Sequence, residues 1–454
     1  MFQRIDRSDP NARLRSTFVN AERARKGVLV MAEHYLLISS DCHAGPPEGH
    51  YRDYIDPEFR EAYDDFTKRM RTVQGAFVRD TEDRKHWVEE WAERTDGDFG
   101  FTAAGDAKLR DAALDADGVA AEVIFPNADA ASLGGVDASP FGSGLGSSGQ
   151  SDGRQVMAGA RAHNRWLAEL CGDSPERRIG LACVPILHDH DAAISEIDWA
   201  ADHGLRGVLI PVSWAPFPGY HDPCYDRIWA ALVDHDMTVH VHSGGGGPQD
   251  VGPGPGAAAI TTSEAWFGPA HCLTVMLWGG VFERHPRLRF AVTEDGAWWV
   301  PDLIWRADDK YSGANHNVKK FGANLFREVL KMKPSEYYRR NVFIGASTPT
   351  PEEINRRDRI GIDNIMWGND FPHPEGTWPD TRDWVAIRFH DVPEDETRKM
   401  LGTNALRCYP QLDEQTLRDI AARIGPTPYD VHEAPVPPNP DGSNEPKSVA
   451  DAVA

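Results

Sequence analysis

The sequence predicts an α/β fold, a (β/α)8 (TIM) barrel with a metal site at the carboxyl ends of its strands, on three observations. Eight short, nearly all-apolar runs rich in β-formers recur along the chain. Amphipathic segments long enough to cross back over a sheet separate several of them, and several runs end in a carboxylate or an imidazole. Strands that are apolar throughout, rather than alternating, are covered on both faces, as parallel strands wrapped by helices are.

The runs in order are "HYLLISSD" (34–41), "AAEVIFP" (120–126), "RIGLACVPI" (178–186), "LRGVLIPV" (205–212), "MTVHVH" (237–242), "LRFAVTE" (288–294), "NVFIGAS" (341–347) and "NIMWGND" (364–370). Between them, 191–204 reads as a helix opened by Asp191 and closed by Gly204, and 222–236 as one capped by Asp222 with Pro223 at its first position. Residues 263–286 and 296–311 read as further helices. An open doubly wound sheet is the alternative, but no Gly-rich dinucleotide fingerprint follows the first run.

Residues 1–33 read as an N-terminal extension, in which Met31 is a candidate start, 34–412 as the barrel, 413–433 as a C-terminal helix and 434–454 as a disordered tail. Two irregular zones, 127–153 and 243–257, leave the ends of the second and fifth strands and are expected to serve as lids or substrate loops.

The chain has 454 residues, with 70 acidic against 48 basic side chains and a net charge of −22. That balance argues against nucleic acid or an anionic membrane surface as a partner. Six scattered cysteines without a C-x-x-C pair fit a reducing compartment. No apolar run approaches 18 residues and the first residues lack a signal-peptide core, so a cytoplasmic protein is expected. A homodimer is the expectation from the frequency of twofold assemblies.

The chemistry gathers at the strand ends. Asp41 and His43, two apart at the end of the first strand, aim the same way while Cys42 aims oppositely. His240 and His242 share a face of the fifth strand, with His242 nearer the mouth; Glu294 and Asp295 end the sixth, and Asp370 ends the eighth, followed by His373. A barrel brings these ends to one rim. Imidazole nitrogens with carboxylate oxygens are the donor set of Zn, Fe or Mn, and a divalent cation relieves the mutual repulsion of the carboxylates. Glu264, read as opening a helix, and His373 are candidates to complete a second metal.

The stretches "SSDCHAGPP", "VHVHSGGG", "GVFERHPRLRFAVTEDGAWWVPDLIWRAD" and "IMWGNDFPHPEGTWP" resemble the amidohydrolase-related metal-dependent enzymes that include the aminocarboxymuconate-semialdehyde decarboxylase group, over roughly residues 34–410. The resemblance implies a metal-binding TIM barrel. Asp41 and His43 stand where that family has His-x-His or Glu-x-His, His242 matches the fifth-strand ligand, and Asp370 matches an aspartate that touches the metal or its water and acts as an acid/base. Two departures stand out: Glu294 replaces a sixth-strand His of many relatives, and "LRGVLIPV" has no Lys to bridge two metals. The oxygen-rich set moves preference toward Fe or Mn.

Three functions follow as expectations. The first is a metal-dependent hydrolase or non-oxidative decarboxylase acting on a small aromatic or cyclic carboxylic acid, amide or ester, with Asp370 and His242 as catalytic residues. The second is a non-haem diiron oxygenase on the same scaffold, with two Fe ions. The third is a non-catalytic ligand-binding barrel. Among 14 tryptophans, several near strand ends suggest an apolar pocket, and Trp214, His271, Trp298 and Arg306 are the candidate substrate contacts; His163 is a further candidate to orient an acidic substrate.

Overall fold

The computed structural model of the chain describes residues 34–46, 51–66, 68, 104–126, 152–243, 255–314, 316–373, 375–440 and 442. The N-terminal extension, most of the two irregular zones and the last twelve residues lie outside the described residues.

Eight strands form one sheet in the order β1 to β8. They are β1 (Ile38–His43), β2 (Ala121–Phe125), β3 (Arg178–Cys183), β4 (Gly207–Leu209), β5 (Thr238–His242), β6 (Phe290–Thr293), β7 (Val342–Ser347) and β8 (Ile365–Gly368). Every neighbouring pair is parallel. The sheet closes on itself: Cys42 bridges Phe371 in parallel, and the His43 amide donates to the Phe371 carbonyl at 2.6 Å. The barrel expected from the eight apolar runs is the fold, each run falling on its strand but reaching beyond it by up to several residues.

All eight strands are buried almost end to end, as their unbroken apolar runs require. Close approach of β1 to β8 depends on glycine: a Cβ on Gly368 would lie 2.9 Å from the Asp41 Cβ.

Principal helices outside the barrel are α1 (Ala107–Asp117), α2 (Gly153–Gly172), α3 (His190–Asp202), α4 (Asp226–Asp234), α5 (Ala257–Glu264), α6 (Phe267–Trp278), α7 (Val300–Ser312) and α8 (Glu414–Ile424). Helix α3 starts earlier than the sequence suggests, because Asp189, not Asp191, accepts the first free amides. Asp222 caps as expected, but it caps a 3-10 turn, Pro223–Tyr225, that leads into α4. The single helix expected over 263–286 is instead α5, α6 and the turn Val281–Arg284. Glu264 therefore ends α5 rather than opening a helix; the Gly-rich approach conceals a start at Gly256, whose φ is 78°. The C-terminal helix expected over 413–433 is likewise two, α8 and Pro428–His432, broken at Gly425-Pro426. That break docks on the start of the barrel, where the Tyr35 amide donates to the Pro426 carbonyl at 2.8 Å. Among the described residues no helix is long and apolar enough to cross a membrane.

Candidate metal centre

At the carboxyl end of β1, alternation sends Asp41 and His43 to the barrel mouth and Cys42 outward, where its thiol meets Asn369 Oδ1 at 3.2 Å. His43 Nδ1 lies 2.7 Å from the Pro126 carbonyl, so Nδ1 carries the proton and the Nε2 lone pair faces the mouth. His242 at the end of β5 repeats this arrangement, with Nδ1 3.1 Å from the Ser243 carbonyl. The two Nε2 atoms converge on Asp41 Oδ1, at 3.4 Å from His43 and 3.3 Å from His242. Ser347 on β7 donates to the other Asp41 oxygen. Asp41, His43 and His242 are at most 1% exposed.

Glu294 follows β6 and Asp370 follows β8, both at left-handed backbone angles, with φ of 63° and 56°. A non-glycine residue in that region is strained, and such strain concentrates where a side chain must be re-aimed. Here it turns Glu294 Oε2 to within 3.1 Å of His242 Nε2, and Asp370 Oδ1 to within 3.4 Å of His43 Nε2. The loop after Glu294 is clamped from outside: Glu353, held in a capping box with Thr350, accepts from the Ala297 and Trp298 amides.

Beyond β8 the chain curls tightly. The His373 amide donates to the Asp370 carbonyl at 2.8 Å and the Thr377 amide to the Asn369 carbonyl at 2.9 Å. Gly376 makes the curl feasible, since a Cβ there would sit 2.3 Å from the Asn369 carbonyl oxygen. The curl brings His373 Nδ1 to 3.1 Å from Asp370 Oδ1 and lays its ring on His43, with centroids 3.9 Å apart. It also delivers Glu375, which the sequence reading did not single out.

Three donor sets result, each with ligand atoms within 4.8 Å of one another: Asp41, His43, His242 and Glu294; His43, Asp370 and His373; and Glu294, Asp370, His373 and Glu375. Glu264 belongs to none of them among the described residues.

The electrostatics are those of a site that needs positive charge. Burial opposes ionisation of Asp41, yet the His242 and His43 imidazoles hold its carboxyl far below the usual carboxylate range. Burial also opposes the charging of His242, but Glu294 and Asp41 lift it to about 9. Burial pushes Glu294 up to about 7 against the pull of His242. His373, despite burial, is raised to about 10 by Asp370. His43 Nε2 and Asp370 Oδ1 are buried without a hydrogen-bond partner among the described residues. Lone-pair imidazoles facing carboxylates need either protons or a cation between them, and this donor set fits a divalent cation.

One barrel layer down, His240 has a structural explanation: burial pulls its imidazole to about 3, its Nε2 meets the Tyr409 hydroxyl at 2.9 Å, and the rings stack. The candidate substrate contacts form a looser group. Trp214 stacks on His271 at 5.2 Å, Trp298 packs edge-on against Trp266 at 5.1 Å with 46% of its surface exposed, and Arg306 is exposed on α7. His163 is buried on α2 and bonds the Tyr51 hydroxyl at 2.7 Å.

Fold and site together define a barrel enzyme whose chemistry sits at the carboxyl ends of parallel strands. The family model described as Amidohydrolase matches residues 40–411, and the chain belongs to that family. It is 26% identical over 278 residues to a gamma-resorcylate decarboxylase of a Rhizobium species, spanning 57% of this chain and 78% of that one. Among solved structures it is similar to a 5-carboxyvanillate decarboxylase from Sphingomonas paucimobilis, with TM-score 0.54 and 20% identity over 83% of this chain and 99% of that one. A 5-carboxyvanillate decarboxylase from Novosphingobium aromaticivorans, with bound manganese and 3-methoxy-4-hydroxy-5-nitrobenzoic acid, gives TM-score 0.57 and 19% identity over 83% and 97%.

Proposed function

We propose that this chain is a divalent-metal-dependent, non-oxidative decarboxylase of a hydroxylated aromatic carboxylic acid. The observation that carries the reading is the buried convergence of two imidazole Nε2 atoms and the Asp41 carboxylate, with Glu294 beside them. Asp41, His43, His242 and Glu294 would hold the cation. When bound, the cation supplies charge that binds the substrate carboxylate and neighbouring hydroxyl and polarises them.

The chain's own residues supply the rest. Buried Asp41, His43 and His242 keep water from the floor of the site, which strengthens every charge interaction there. Asp370 at the mouth carries the proton. As the bond between ring carbon and carboxylate breaks, its electron pair stays on the ring carbon, carbon dioxide leaves, and an Asp370 oxygen delivers a proton to that carbon. Trp214 and His271, stacked together, offer an aromatic wall for the ring. The relatives described above are decarboxylases and none is an oxygenase, which favours this reading over diiron oxygen chemistry.

The test is carbon dioxide release from a panel of hydroxybenzoates by protein loaded with Mn²⁺ or Zn²⁺, with dissolved oxygen followed in parallel. Release without oxygen uptake supports the proposal. Oxygen consumption with hydroxylated product, or failure to retain any metal, overturns it.

A further inference from the structure

The inner donor set does not use up the cluster. Asp370, His373 and Glu375 lie outward of it, and with Glu294 they form a second set of four whose ligand atoms all lie within 4.8 Å of one another. Glu294 is common to both sets. At its left-handed backbone angle, Glu294 is the one carboxylate the two sets share, as a bridging ligand would be.

An acidic rim alone would mean little, because exposed carboxylates often serve only solvation. Two further observations separate this set from a rim. Asp370 is 2% exposed, and its Oδ1 faces the set without a hydrogen-bond partner among the described residues. The curl over 369–377, with a glycine where no side chain fits, is built to fold His373 and Glu375 back over Asp370.

Charge balance points the same way. The two sets contain four carboxylates: Asp41, Glu294, Asp370 and Glu375. Among the described residues no lysine or arginine pairs with any of them; their ion-pair partners are His43, His242 and His373. With neutral imidazoles and the proton on Asp370, three ionised carboxylates remain, so one dication leaves the mouth singly negative, which repels a carboxylate substrate. A second dication reverses that sign, and an anionic substrate then enters without that penalty.

We propose that the mouth holds two divalent cations, the outer one bound by Glu294, Asp370, His373 and Glu375, with Glu294 bridging to the inner one. This rests on the inner site proposed above and extends it. The outer set differs from a lysine-bridged pair, since β4 offers no lysine. Asp370 would bind through Oδ1 and keep its second oxygen for the proton. The outer cation is also the more exchangeable, because Glu375 is exposed and Glu294 partly so, whereas three of the four inner ligands are fully buried.

Equilibrium dialysis of metal-stripped full-length protein against Mn²⁺, read by metal analysis and electron paramagnetic resonance, tests this. Two Mn²⁺ per chain with an exchange-coupled spectrum are expected. Glu375→Gln and His373→Ala should each weaken the second Mn²⁺ on the order of ten- to a hundredfold and leave one uncoupled Mn²⁺. Glu375 is exposed, so its variant reports even where His373→Ala fails to fold. One Mn²⁺ per chain at saturation, or two retained with wild-type affinity in Glu375→Gln, overturns the outer site and leaves the inner one standing. No bound Mn²⁺ overturns the proposed function itself.

Discussion

The imidazoles of His43 and His373 stack with their centroids 3.9 Å apart, and both address the same atom, Asp370 Oδ1. One ring comes from the first strand and the other from the loop after the last, so the stack spans the seam where the barrel closes. Asp370 is thereby fixed against the inner site while keeping its place at the mouth.

Removing the carboxyl function of Asp370 should therefore remove proton delivery without emptying the inner site. Asp370→Asn keeps the shape and much of the hydrogen bonding, but an amide has no acidic proton to deliver. Loss of a positioned general acid costs about 10²–10⁴-fold in rate. We expect kcat to fall within that range while the Asp41, His43 and His242 site keeps its cation. Steady-state decarboxylation together with metal analysis checks both halves; near wild-type kcat would remove Asp370 from the chemistry.

The shifted groups set a pH dependence with a definite sign. His242, near 9, and Glu294, near 7, both bind protons more tightly in the folded, metal-free protein than in the unfolded chain. Their contribution is present at low pH and is lost as pH rises, for Glu294 between about 4.5 and 7 and for His242 between about 6.5 and 9. Asp41 is depressed and acts oppositely: its contribution is present above the ordinary aspartate range and is lost as pH falls below it. Below about 6.5 the His240 imidazole, held near 3, contributes in the opposite sense, so the net loss of stability in metal-free protein should be read from about pH 6.5 to pH 9. A cation replaces those protons, so Mn²⁺ should tighten with rising pH and flatten the loss. Melting curves with and without Mn²⁺ across this window decide it; a metal-free protein that gains stability toward pH 9 would contradict the assignment.

How far the site was legible follows from where each residue stands. Asp41 and His43 were readable because strand alternation places i and i+2 together, and His242 because its strand ends in a repeated imidazole. Glu375 was not readable: it depends on a loop that doubles back around Gly376, and loop geometry leaves no periodic signal. Glu264 misled for a related reason, since Gly256 starts a helix at a left-handed angle inside a stretch that reads as pure loop. The left-handed angles of Glu294 and Asp370 are equally silent in sequence, since a Glu or Asp side chain does not by itself mark a positive φ. The tryptophan count misleads in part too: Trp229 and Trp367 lie at most 2% exposed in the core rather than near a pocket.

Gly376 gives a prediction that separates the curl from the barrel. A methyl group there would sit 2.3 Å from the Asn369 carbonyl oxygen and 3.0 Å from those of Asp370 and His373. Backbone has to move, and overpacking of this kind costs about 1–3 kcal/mol. We expect Gly376→Ala to lower decarboxylation and outer-site Mn²⁺ affinity while the far-ultraviolet circular dichroism stays that of the barrel. Unchanged Mn²⁺ binding and rate would show that the curl does not set the positions of His373 and Glu375.

Arg110 supports the site from behind, and its loss should be felt in both stability and metal binding. Its guanidinium is fully buried, makes two 2.6 Å bonds to the Glu122 carboxylate, and donates at 2.8 Å to the His43 carbonyl. Arg110→Met would leave Glu122 buried without this bidentate partner, with only Arg178 at 3.8 Å. Breaking a buried pair from one side costs about 3–5 kcal/mol, whereas replacing both partners with apolar groups is often close to neutral. Chemical denaturation should show that full loss for Arg110→Met and partial recovery for Arg110→Met combined with Glu122→Leu. Neither variant restores the donor to the His43 carbonyl, so both should bind Mn²⁺ more weakly than wild type. A double variant that regains stability but not metal affinity is the outcome that assigns Arg110 a positioning role at His43; recovery of both together would reduce it to a structural ion pair.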